Sequence, residues 1–196
     1  MKTYASINRA KGFNNEHSLF SLIQGYRATA RHLLQELIKS EDWLQIDSII
    51  YPALFVFRHY MELIMKDTLR YHRLINGEID SDHVGFKNEH SLQRLWKELR
   101  PYLDETYKHE ANYPTDMATM DALLQEFESY DHGSFAFRYP YDGSKNKKKQ
   151  IVYTLGFMTI NLANLQQVVD RTIAFFDGIN AHAAVLLDET QSNAYN

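Results

Sequence analysis

Apolar residues recur at intervals of three and four along most of the chain, the spacing of helices that each turn one face to a core. Leu19, Leu22, Ile23, Tyr26, Ala30, Leu33, Leu34, Leu37 and Ile38 form the first stripe and predict a helix from about Glu16 to Lys39. Gly25 interrupts it at a cost of about 1 kcal/mol against alanine, which predicts close approach of a neighbouring helix. The second helix is expected to start near Asp47, with Asp47 or Ser48 as cap and Pro52 early or as a kink, and to reach about Leu74 before Asn76-Gly77 ends it. Its first half, Ile49 to Phe57, is apolar on every side, which places that half at the centre of the fold.

A polar segment over residues 76–90 separates this helix from the next. Leu92, Leu95, Trp96, Leu99 and Leu103 predict a third helix from Ser91 to about Tyr107, and Met117, Met120, Leu123, Leu124 and Phe127 a fourth from Asp116 to Tyr130. A last helix is expected from about Val152 to Leu187, with Gly178 as a break or kink. With no convincing strand and no internal repeat, the pattern predicts an all-α, up-and-down bundle of about five helices. It forms a single domain over residues 1–196, with 1–14 and 189–196 as flexible tails.

Composition supports this reading. Glycine and proline together number 8 + 4 = 12 of 196 residues, about half the usual share, as long helices require. The absence of cysteine removes disulfides, thiolate metal sites and a thiol nucleophile. The formal charge of −4 gives no global attraction to nucleic acid. Its local exception is Lys145 to Lys149, four lysines in five positions, either a solvated loop or a phosphate-steering patch. The longest apolar run, Ile49 to Phe57, contains Pro52 and is too short to span a bilayer, and the N-terminus lacks an apolar signal core. A cytoplasmic protein without membrane attachment is expected.

Three constellations could carry chemistry. Arg58, Glu62 and Lys66 stand at four-residue steps on one helical face directly after the apolar half of the second helix, so they meet either opposite charges or an anionic ligand. His59 shares this region as a ligand contact or a core histidine; His59 and Glu62 reverse the order of a di-iron Glu-x2-His pair and have no second copy, so no metal or other cofactor is expected. In the Gly- and Pro-punctuated segment Asp131 to Pro140, Arg138 lies between aromatics. It either binds carboxylate or phosphate with Tyr139 stacked beside it, or pairs with Asp131 or Glu62. His90, at the start of the third helix, is a capping residue or an acid/base group facing a cleft.

The strings Phe57-Arg58-His59-Tyr60-Met61-Glu62-Leu63-x2-Lys66, His90-x-Leu92-x2-Leu95-Trp96 and Phe137-Arg138-Tyr139-Pro140 together resemble HEPN-like helical proteins (higher eukaryotes and prokaryotes nucleotide-binding) over roughly residues 50–175. The resemblance implies a dimer-forming bundle of the kind found in bacterial conflict, toxin-antitoxin and phage-defence settings. In active members it implies a metal-independent RNase with an Arg-x4-6-His motif. Arg27-x4-His32 is the match here, with His32 as base toward a ribose 2′-hydroxyl and Arg27 stabilising the phosphorane-like charge. The expected ligand is RNA or an anionic nucleotide, held by Arg58, His59, Glu62, Lys66, Asp131, Arg138 and Tyr139, with His90 as a further acid/base candidate. The competing expectation is a non-catalytic interaction or homodimerisation module whose charges are internal struts.

Overall fold

Among the described residues of the computed structural model five α-helices follow one another: α1 (Asn15–Lys39), α2 (Trp43–Ile75), α3 (Leu92–Tyr107), α4 (Tyr113–Tyr130) and α5 (Leu162–Ala194). The structure describes residues 15–79, 88–131, 134–141 and 153–194. The expected N-terminal tail, Gly85, His132, Gly133, Gly143 and the Lys145 to Lys149 run lie outside the described residues. The architecture is an all-helical bundle, and no described helix is long and apolar enough to cross a membrane.

Pairs of residues across the helices give their relative senses. Three residues separate α1 from α2, and Tyr26 meets His59, so these two form an antiparallel hairpin. Arg27 and Arg31 reach Asp177 and Asp170 respectively, so α1 also opposes α5. Tyr60 bonds Asp177 and Thr68 bonds Asn180, which sets α2 and α5 in the same sense. Trp96 meets Phe175 and Tyr107 meets His182, so α3 shares that sense. α4 opposes α3, with Leu92 near Glu128 and Asp104 near Tyr113. Because α2 and α3 run alike, the helix order is not strictly up-and-down as expected.

α2 is the central helix, but its buried stretch is displaced from the expected one. Tyr51 is 48% exposed, whereas Ala53 to Leu69 is buried on nearly every side, including Arg58, Glu62, Lys66 and Asp67. α3 begins opposite Arg58, where the His90 carbonyl accepts the Arg58 guanidinium, so the first turns of α2 lie beyond its cover. Around Ala53 to Leu69 gather Ile23, Leu34, Leu95, Leu99, Phe127, Ile173 and Phe176, all buried.

Several helix ends differ from expectation for local reasons. α2 starts at Trp43 because the Asp42 carboxylate accepts the Leu44 and Gln45 amides, making Asp42 the cap instead of Asp47 or Ser48 and leaving Pro52 in the helix interior. α4 starts at Tyr113, with Pro114 in its first turn, where the missing N–H has no helical partner to lose. α5 starts ten residues later than the pattern suggests. Tyr153 pairs with Tyr141, Thr154 donates to the Tyr139 carbonyl at 2.6 Å, and Asn161 then caps the helix through the Asn164 amide. α5 continues without a break through Gly178 and reaches Ala194, through most of the stretch expected as a flexible tail.

Gly25 is not a close-approach position: a Cβ placed there meets nothing within 4 Å, and its φ is not left-handed. Gly25→Ala is therefore expected to stabilise the fold by about 0.5–1 kcal/mol, read as a raised thermal midpoint. A fall in that midpoint would show a contact at this position that the structure lacks.

Candidate functional site

The charged face of α2 is drawn into a network where α3 begins and α4 ends. Arg58 is fully buried: its Nη1 donates to Glu62 Oε2 at 3.2 Å and its Nη2 to the His90 carbonyl at 2.6 Å. Its Nε lies 3.2 Å from Asp131 Oδ2 as an ion pair whose N–H does not point at the oxygen. Asp131, fully buried as well, turns its other oxygen to the Ala136 amide at 2.5 Å and so folds the loop after α4 back onto α2. Ser134 completes the reversal with a left-handed φ of 64°, which is uncommon for a residue other than glycine.

Glu62 connects this interior to solvent. Its Oε1 accepts Lys66 Nζ at 2.8 Å and lies 3.0 Å from His90 Nδ1. Burial alone pushes the Glu62 carboxyl up; the hydrogen bonds and charges of Lys66 and His90 outweigh it and hold the group below its ordinary value. The His90 side chain is 52% exposed, and its Nε2 faces Asn88 Oδ1 at 3.2 Å.

The α3 N-terminus itself is already occupied by protein acceptors. Glu89 takes the His90 and Ser91 amides, Glu128 takes the Leu92 amide, and Ser91 takes the Arg94 amide. Any anion at this end must therefore be met by side chains, since the helix has few free donors there.

Beside the network runs a strip of rings and cations. The exposed Arg138 donates from Nε to the Ser134 carbonyl at 2.6 Å, and its guanidinium lies 5.5 Å from the Phe55 ring and 5.6 Å from Tyr139. Phe55 in turn lies parallel to His59 at 6.0 Å, and His59 meets the edge of Tyr26 at 4.5 Å. Burial is the main reason that His59 titrates below its ordinary value; Glu62 opposes the shift, while Lys66, Arg58 and His90 add to it. Phe55, His59, Glu62 and Lys66 fall within about 60° of one another around α2, which explains how one helix serves both strip and network.

The expected site residues thus divide. Arg58 and Asp131 are closed to solvent, and both Nη atoms of Arg58 donate to protein groups, so neither residue reaches a ligand in this structure: burial and mutual pairing make them struts. Glu62 and Lys66 are buried too, at 2% and 9% exposure, and meet each other. His90, Arg138 and Tyr139 face solvent, with His59 half-buried behind them. Arg27 and His32 are not brought together. Five residues along one straight helix place them about 140° apart, with Arg27 on Asp177 of α5 and His32 on the outer surface. Among the described residues no group of three or more His, Asp or Glu side chains is arranged to hold a metal ion.

Sequence periodicity gave no sign of Glu128, whose partner is an amide 36 residues away, or of the buried His72, stacked on Tyr102 at 5.3 Å with Nε2 lacking a hydrogen bond. Burial, and secondarily His182, lower the His72 pKa, so the folded state favours the neutral ring. Stability from this group is present above the unfolded value of 6.5 and is lost as pH falls from there through the folded value. His72→Phe keeps the stack on Tyr102 and is expected to flatten that part of the stability-against-pH curve, measured by urea unfolding. An unchanged slope would remove His72 as its source.

No family model matches the chain, and no similar curated protein or solved structure was found.

Proposed function

We propose that this protein binds an anionic ligand of nucleotide or RNA type on the surface of α2 between His90, His59 and the Arg138-Tyr139 pair. The observation that carries this reading is Arg138, an exposed guanidinium held between Phe55 and Tyr139, with Phe55 in turn stacked on His59. Phosphate suits the guanidinium and imidazole, and the flanking rings offer stacking faces for a base. The buried Arg58–Glu62–Asp131 set acts as the frame, because it holds the start of α3 and the 134–139 loop against one side of α2. This role is in keeping with the nucleotide-binding helical proteins that the Arg58-His59 and Phe137-Arg138-Tyr139-Pro140 strings resemble. Cleavage by Arg27 and His32 is disfavoured by their separation around α1.

Fluorescence anisotropy with a labelled single-stranded RNA and with a labelled ATP analogue tests the proposal. Arg138→Ala is expected to weaken binding about tenfold, and the affinity of the unsubstituted protein should fall with added salt. Equal binding by both proteins would remove the site.

A second reading is self-association, favoured by exposed aromatic side chains: Phe157 is 103% and Tyr153 67% exposed, with Tyr139 and Tyr141 about half exposed. Light scattering decides it. A dimer that Phe157→Ser converts to a monomer supports this reading, and a monomeric unsubstituted chain rejects it.

A further inference from the structure

About 25 Å along α3 from His90, where the end of α3, the start of α4 and part of α5 meet, a cleft of about 380 Å³ opens, within the size range of small-molecule sites. Its walls are mainly rings and aliphatic chains, including Tyr107, Tyr113 and Phe175. Tyr107 and His182 Nδ1, 2.6 Å apart, tie α3 to α5 and fix the Tyr107 ring. Burial raises both tyrosines, Tyr113 to about 12 with the Asp104 hydrogen bond adding to it, so these walls are neutral at ordinary pH.

Two further features give the cleft a preference. Glu110 and Asp116 line it, and among the described residues neither carboxylate has a cationic partner. Gly178 completes the α5 wall. Its backbone is not left-handed, and a Cβ there meets nothing within 4 Å, so neither chain conformation nor helix contact requires glycine. What the missing side chain leaves is space in the cleft.

We propose that this cleft binds a small organic cation, an alkyl or aromatic amine whose body lies against Tyr107, Tyr113 and Phe175 and whose ammonium group meets Glu110 and Asp116. Ring faces attract a cation through their quadrupoles, and two unpaired carboxylates select the same charge. A neutral ligand of equal shape keeps only the apolar contact, and an anionic one is repelled.

Titrations of the full chain by calorimetry with tyramine, 4-ethylphenol and 4-hydroxyphenylpropionate test the proposal, since the three share a phenol ring and differ in charge. Tyramine is expected to bind saturably and about tenfold more tightly than 4-ethylphenol, with the propionate weakest. Glu110→Gln/Asp116→Asn should bring tyramine to the affinity of 4-ethylphenol. Gly178→Leu, with an unchanged helical circular dichroism spectrum, should abolish binding of both. The proposal is overturned if the unsubstituted protein shows no saturable tyramine binding, if tyramine and 4-ethylphenol bind it equally, or if folded Gly178→Leu protein binds as before.

Discussion

Replacing Arg58 by methionine is expected to lower the unfolding free energy by about 3–5 kcal/mol at neutral pH, far beyond the effect of an ordinary surface change. The side chain is fully buried and meets Glu62, Asp131 and the His90 carbonyl at once. Methionine fills similar space but leaves Asp131 without its only cation among the described residues. It also leaves the His90 carbonyl without this donor. Glu62 keeps Lys66 and His90, so the deficit falls mainly on Asp131.

Guanidinium chloride unfolding of both proteins at neutral pH measures this. A gap below about 1 kcal/mol at neutral pH would mean that the network contributes little to holding α2, α3 and α4 together.

Phe57→Ala carries the second large effect, again about 3–5 kcal/mol. Phe57 is 1% exposed and meets Phe127 of α4 edge-on at 5.5 Å; Phe127 meets Phe137 at 6.4 Å in the same manner. The cavity left by alanine would lie beneath the loop that presents Arg138, so RNA or nucleotide affinity should weaken along with stability. Phe57→Leu retains most of the volume and is expected to recover all but about 1.5 kcal/mol. Denaturant midpoints for the two variants, compared with anisotropy for the folded fractions, separate the two consequences. If Phe57→Ala lowers stability and leaves affinity intact, the loop is held by Asp131 and its Ala136 contact rather than by the aromatic chain.

The two large effects also show where legibility ended. Phe57 sits in an apolar run of the sequence and Phe127 on a regular amphipathic stripe, so both were recognisable as core from spacing alone. Arg58, Glu62 and Lys66 were recognisable as a stripe on one face of a helix, but the same spacing fits a ligand site and an internal brace. Asp131 and the His90 carbonyl decide between these, and each lies more than thirty residues from Arg58 along the chain. The amine cleft left no sequence pattern, because its walls come from three helices and its volume comes in part from an absent side chain at Gly178.

By itself the sequence determined the five helices and the apolar faces they bury, since these depend on residues three and four apart, whereas several helix ends, set by local caps and turns, did not follow the pattern. Tertiary structure alone decided that α2, α3 and α5 share one sense, that the charged middle of α2 is buried, and that Arg138 and His90 remain open while Arg58 closes. The physical reason is burial. Whether a charge faces water or another charge depends on which distant segment covers it, and the free energy of that choice is set by desolvation and pairing between elements.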